Sequence, residues 1–187
     1  MIKKIINGLR SAFLCLLIMT VLCGVIYPGI VTVIAQTMFP SQADGSVVSV
    51  TLQDGTQKVY GSSLIAQEFS DPKYLIGRSM GTTNLSPVSE EQERLVAERI
   101  AWWHSLDPDN KKDIPMDLVT ASGSGVDPNI SPSGAAYQVE RIARERGISE
   151  ESVKAIIAEN TAGRFLGFWG EPSVNVLNVN LALDGLR

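Results

Sequence analysis

Beyond Cys23 the sequence has no cysteine, and it has a single histidine, His104. The 148 residues after Phe39 therefore hold no disulfide and no thiolate metal site. A zinc ion there would need a shell made almost wholly of carboxylates. Basic side chains are also scarce in this stretch: thirteen Lys and Arg face twenty Asp and Glu, a formal −7. Nucleic-acid affinity comes largely from cations that neutralise phosphates, so an acidic balance argues against a nucleic-acid partner. No Gly-x-x-x-x-Gly-Lys-Ser/Thr loop occurs, which removes the backbone cradle and lysine of the common ATPases.

Charge is missing in one further place. Ser11 to Phe39, read SAFLCLLIMTVLCGVIYPGIVTVIAQTMF, carries none, and Lys3, Lys4 and Arg10 precede it. At about 1.5 Å per residue, roughly twenty residues of helix cross a hydrocarbon core of about 30 Å, and helix satisfies its own backbone in lipid. The run predicts one membrane-spanning helix over 11–39. Residues 1–10 are expected in the cytoplasm and 40–187 outside it, because cations flank mainly the N-terminal side. Ser41-Gln42-Ala43 would pass as a leader-peptide cleavage site, but the run is about twice a usual leader core of 7–15 residues. A lipoprotein site at Cys23 is disfavoured by the bulky Leu22 before it. Within the span, Gly24, Tyr27, Pro28 and Gly29 cluster as a notch suited to packing on a partner helix.

After the span, VVSVTLQ and QKVYGSSLI flank Asp54-Gly55, a hairpin signal. Residues 67–87 are rich in Gly, Ser, Thr, Asn and Pro and read as a long surface loop carrying Phe69, Tyr74 and Arg78. Ser89 is expected to cap a helix to about Ser105, with Gln92 as reciprocal partner and Leu95, Ile100 and Trp103 inward. Residues 107–115 read as a polar linker, and 117–121 as a short strand. Ser131-Pro132 starts a helix to Arg146 stopped by Gly147, and a second helix follows Ser149 to near Asn160. These two form a hairpin through Val139, Ile142, Ala143, Val153, Ile156 and Ile157. The glycine-rich GRFLGFWGEP comes next. The final VNVLNVNLAL fits a strand or a short helix, and periodicity leaves both open. The expected fold is an α+β domain of hairpin strands and about three helices, behind one anchor.

Ser122-Gly123-Ser124-Gly125 before Asp127 is a phosphate-nest or nucleophile-turn candidate. It lacks the third glycine of a dinucleotide loop and does not match Gly-x-Ser-x-Gly, so a flexible turn is the favoured reading. His104 beside two tryptophans reads as packing or surface. A membrane-anchored hydrolase using Ser124, His104 and Asp127 is the alternative function, and it requires these side chains to meet in space.

Five stretches together resemble the C-subunit family of the Kdp system, the bacterial high-affinity potassium-transporting P-type ATPase. They are GVIYPGIVTVIAQTMFP, YGSSLIAQEF, VTASGSGVDPNISPSGAAYQVERIARERG, Gly170-Glu171-Pro172 and VNVLNVNLAL. Gly77-Arg78-Ser79-Met80 stands where the family usually has Gly-Arg-Pro-Ser, the GTTNLSP loop is short, and Glu171 replaces the Gln of some members. The resemblance implies a non-catalytic subunit needed for assembly and activity. Its partners would be a channel-like potassium-translocating subunit, an ATP-hydrolysing P-type subunit and a very small membrane peptide. The family has been proposed to raise the ATP affinity of the hydrolysing subunit, and ATP enters only at that level. The resemblance marks Ser122, Gly123, Ser124, Gly125, Asp127, Pro128, Ser131, Pro132, Gln138, Arg141, Glu171, Pro172, Asn175 and Asn180 as structural or contact positions. It implies no catalytic residue and no metal ligand. An outer domain cannot reach cytoplasmic ATP, so the expected role is a cap that clamps the channel-like subunit.

Overall fold

The computed structural model describes residues 2–52, 54–82 and 84–186, without the side chains of residues 2, 4 and 5. Gln53 at the end of the first expected strand, Thr83 in the 67–87 loop and the Lys4 side chain lie outside the described residues. The chain divides into two units, 1–46 and 47–187.

In the first unit, α1 (Ile2–Val21) and α2 (Tyr27–Met38) run through a π-helical turn at Leu22–Ile26. The stretch Ile6–Met38, 33 residues, is long and apolar enough to cross a membrane. Pro28 explains the turn between them. Its missing N–H leaves the carbonyl four residues earlier, on Gly24, without a donor, and its ring crowds that carbonyl. The Tyr27 N–H bonds Leu22 O, five residues back, so the helix widens one turn before the ring. A short α3 (Pro40–Ala43) follows.

The second unit opens with β1 (Val47–Thr51) and β2 (Gln57–Ser62), paired antiparallel. The Asp54 carboxylate accepts the Thr56 N–H, and Gly55 takes the positive φ of the turn. The register shifts between Val48 and Ser49. A cap at Ser89 begins α4 (Glu90–Leu106), with its Oγ accepting from Gln92 N–H. The reciprocal bond expected of Gln92 does not form: its Oε1 is buried without a partner. Trp103 faces the core and Val96 packs beside it, while Ile100 turns outward.

The linker 107–115 is largely exposed but pinned at two points. Asp107 and Asn110 are buried; Asp107 accepts from Arg144 at 2.8 Å, and Asn110 donates to Tyr137 O. The strand expected at 117–121 is instead one helical turn, α5 (Met116–Val119). Leu118 and Val119 are consecutive and both buried. A strand would send neighbours to opposite faces, whereas a helical turn keeps both against the core.

The helix expected from Ser131 to Arg146 is two helices, α6 (Pro132–Tyr137) and α7 (Val139–Arg146), broken at Gln138. The Gln138 Nε2 donates to Gly134 O, the carbonyl its own N–H would use in a continuous helix, and that N–H bonds Ala135 O instead. Gly147 at φ 64° stops α7, with Ile148 N–H closing on Ala143 O. Then α8 (Glu150–Glu159) packs on α7 through the apolar positions expected for the hairpin.

A second sheet, absent from the sequence reading, joins β3 (Asn129–Ile130), β4 (Thr161–Ala162) and β5 (Ser173–Asn175) in antiparallel order β3-β5-β4. The C-terminal stretch is both of its alternatives: β5 leads straight into α9 (Val176–Leu183), capped by the Asn175 side chain on Asn178 N–H. The fold is thus mixed helix and sheet. Its core gathers Trp103, Leu118, Ile142, Val153, Val174 and Val179, all at most 2 % exposed.

Candidate functional site

The 67–87 segment departs most from expectation. Leu75 is fully buried and Ile76 nearly so, although no regular element contains them. A buried backbone needs partners for each N–H and C=O. Two side-chain amides supply them. Asn180 on α9 accepts from Leu75 N–H at 2.8 Å and donates to Leu75 O at 2.9 Å. Gln138, at the break between α6 and α7, accepts from Ile76 N–H and donates to Ile76 O, both at 2.9 Å. Each amide stands where a neighbouring strand would be.

Arg141 completes this clasp from one turn further along α7. Its guanidinium donates to Pro72 O, to Tyr74 O at 3.2 Å and to Gln138 Oε1 at 2.7 Å. Burial lowers this guanidinium to about 10, with nearby Asp107 and Glu145 opposing the shift. At the segment's edge, Tyr74 donates to Asp184, and Arg146 bonds both Asp184 and Leu183 O. Burial, followed by the bond to Asp184, pushes the Tyr74 phenol up.

The turn at 122–127 is a second clasp. Ser122 Oγ accepts from Gly125 N–H at 2.9 Å, and Gly125 O accepts from Gly81 N–H. Gly125 has φ +72°, and a Cβ there would sit 2.7 Å from the Gly81 carbonyl carbon. Gly123 and Ser124 are exposed; Ser124 Oγ accepts from Val126 N–H, and Val126 O takes Ala66 N–H. Asp127 accepts from Asn129 N–H and lies 3.7 Å from Arg78. Pro128 O receives Val176 N–H. Ser131 caps α6 on Gly134 N–H while Asp117 holds both its N–H and its hydroxyl, and Pro132 fills the first helical position. Asn175 also donates to Ser63 O, and Pro172 leads into β5. Glu171 is exposed and pairs with Arg164 at 2.8 Å.

Between these clasps and α4 lies a cleft of about 430 Å³, lined by Phe69, Ile76, Arg78, Ser79, Arg99 and Trp102 among others. Its two cations are held by carbonyls: Arg78 by Ala121 O at 2.8 Å, Arg99 by Val119 O at 3.0 Å. Sequence reasoning missed Arg99, although it stands four residues before the inward Trp103. It also passed over Gly77-Arg78-Ser79-Met80-Gly81, which has Gly-x-Ser-x-Gly spacing. A nucleophile elbow needs a strand before the serine and a helix after it. Residues 75–82 are irregular throughout. Among the described residues no histidine lines the cleft, and His104 and Ser124, both exposed, share no hydrogen bond. No cluster of three or more metal-ligating side chains occurs among them either. The cleft's walls combine apolar side chains with Arg78, Arg99 and the carboxylate of Glu68, the chemistry of a contact surface.

In the first unit, no side chain and no other segment comes within 4 Å of where a Cβ would stand on the notch residues Gly24 and Gly29, and Tyr27 is exposed next to Pro28. The chain itself leaves that face open.

Residues 9–185 match the family described as KdpC, the c chain of K+-transporting ATPase. The chain belongs to the KdpC family. A potassium-transporting ATPase KdpC subunit from Listeria welshimeri is 57 % identical over 99 % of both chains. Those from Clostridium perfringens and Sorangium cellulosum are 48 % and 47 % identical, over 95 % and 96 % of this chain. The family match takes in the π turn, both clasps and the cleft. In this KdpC-family chain, most of the positions singled out from the sequence after the span are bonded to another segment of the same domain.

Proposed function

We propose that this chain is the accessory, non-catalytic C subunit of an ATP-driven high-affinity potassium-uptake complex, required for its assembly and stability. The match to the KdpC family over residues 9–185 carries this reading. The helix Ile6–Met38 anchors the chain in the cell membrane by a single pass, with residues 1–10 in the cytoplasm and the domain from residue 40 outside. Gly24, Tyr27, Pro28 and Gly29 receive a partner helix. The outer domain docks on the channel-like potassium-translocating subunit, in a complex with the ATP-hydrolysing P-type subunit and a small membrane peptide. On this reading ATP belongs to the hydrolysing subunit, and any gain in its ATP affinity comes through assembly rather than through nucleotide held by this chain.

Potassium-limited growth of a strain deleted for this chain tests the proposal. Growth should fail, return with the wild-type chain and return equally with Ser124→Ala. Growth of the deletion strain at limiting potassium would overturn the accessory role. Failure of Ser124→Ala alone would favour the hydrolase.

A further inference from the structure

The strands β4 and β5 continue outward into a hairpin whose tip, Phe165–Trp169, covers nothing in the domain. Phe165, Leu166, Phe168 and Trp169 are each 69 to 71 % exposed, four large apolar side chains within five residues. A patch of that kind marks an interaction surface. Its backbone indicates which medium it fits. Phe165 and Trp169 exchange both hydrogen bonds, at 2.8 and 2.9 Å, while Gly167 N–H bonds Arg164 O and Phe168 N–H bonds Phe165 O. Leu166 accepts a positive φ of 52°, beside Gly167 at 81°, to close the turn. With these N–H groups paired inside the turn, the tip is poorly suited to adding a strand from another protein and suits a medium that meets its apolar side chains instead.

Charge marks how deep the tip would go. No ionised side chain lies between Arg164 and Glu171, and those two pair across the hairpin base at 2.8 Å. Trp169 closes the tip opposite Phe165, two residues before Glu171, its ring stacked on Phe168 with centroids 6.4 Å apart. Apolar tip, indole, then arginine is the order in which side chains meet a bilayer from the hydrocarbon outward.

We propose that the Phe165–Trp169 tip is a wedge that inserts into the headgroup–acyl boundary of the phospholipid bilayer in which this chain is anchored. The inference rests on the single-pass reading. The chain's three tryptophans all lie outside the span, so fluorescence reads the wedge directly. The full chain is reconstituted into phosphatidylcholine liposomes brominated high on the acyl chains. Emission should fall through loss of one indole's contribution, Trp169→Phe should abolish that loss, and Leu166→Asp with Phe168→Asp should diminish it. Both altered tips face outward, so folding is checked by an unchanged melting curve. An indole untouched by bromine yet reached by acrylamide would show a tip left for water or a protein partner, and would overturn the wedge. Flotation of the same sample with the liposomes tests the anchor separately, so a floating chain with unquenched Trp169 defeats the wedge alone.

Discussion

Gln138 uses its whole amide. Its oxygen accepts from Ile76 N–H and Arg141, and its nitrogen donates to Ile76 O and Gly134 O. Leu fills similar space and offers none of these bonds, leaving buried backbone groups without partners. Gln138→Leu should therefore cost about 3 kcal/mol, from buried groups at about 1–3 kcal/mol each, read as a lower melting temperature of the full chain in detergent. An unchanged melting curve would contradict the clasp. Arg141→Met should cost a similar amount, since it orphans Pro72 O and Tyr74 O. The sign of any pH effect follows from Arg141's lowered pKa. A depressed folded value adds stability only as pH rises through about 10, and that gain is lost on return below it. Neutral and mildly alkaline pH lie below this window, so the Arg141→Met penalty should be equal at both. Gly125→Ala meets positive φ and the Gly81 backbone together, and about 2 kcal/mol or more is expected from strain and clash.

At the scale of elements, what formed as expected has local causes. Ser89, Ser131 and Ser149 each cap the helix they precede, because the cap bond spans three residues. Ser89→Ala should accordingly cost about 1 kcal/mol, measurable in the same melt. The Asp-Gly hairpin and the Gly147 stop are local in the same way. The elements misread from the sequence are set from far away. Leu75 meets Asn180 across 105 positions and Ile76 meets Gln138 across 62, so the Ser- and Gly-rich composition of 67–87 gave no sign of burial. The turn α5 is held by Asp117 reaching Ser131, and the break at Gln138 by a side chain serving two segments. Of the site, Gln138, Arg141 and Asn180 were legible only through resemblance, and Arg99 only through its helical spacing from Trp103. In the span, Gly24→Leu should fill the open face beside the π turn. It should lower recovery of partner subunits while leaving the chain in the membrane fraction, and unchanged recovery would remove the notch from the packing role.

At the scale of the whole molecule, the domain is built for holding shape. The sequence-marked positions mostly bond one segment to another, and among the described residues the span and the hairpin tip each gather several exposed large apolar side chains. This distribution suits a subunit that braces an assembly. The most direct measurement is mild-detergent purification of the tagged chain from its native membrane, with co-eluting proteins identified by mass. The account predicts stable recovery of a multi-span channel-like protein together with a P-type ATPase. A tagged chain that supports potassium-limited growth yet elutes alone, even after cross-linking in the membrane, would contradict it.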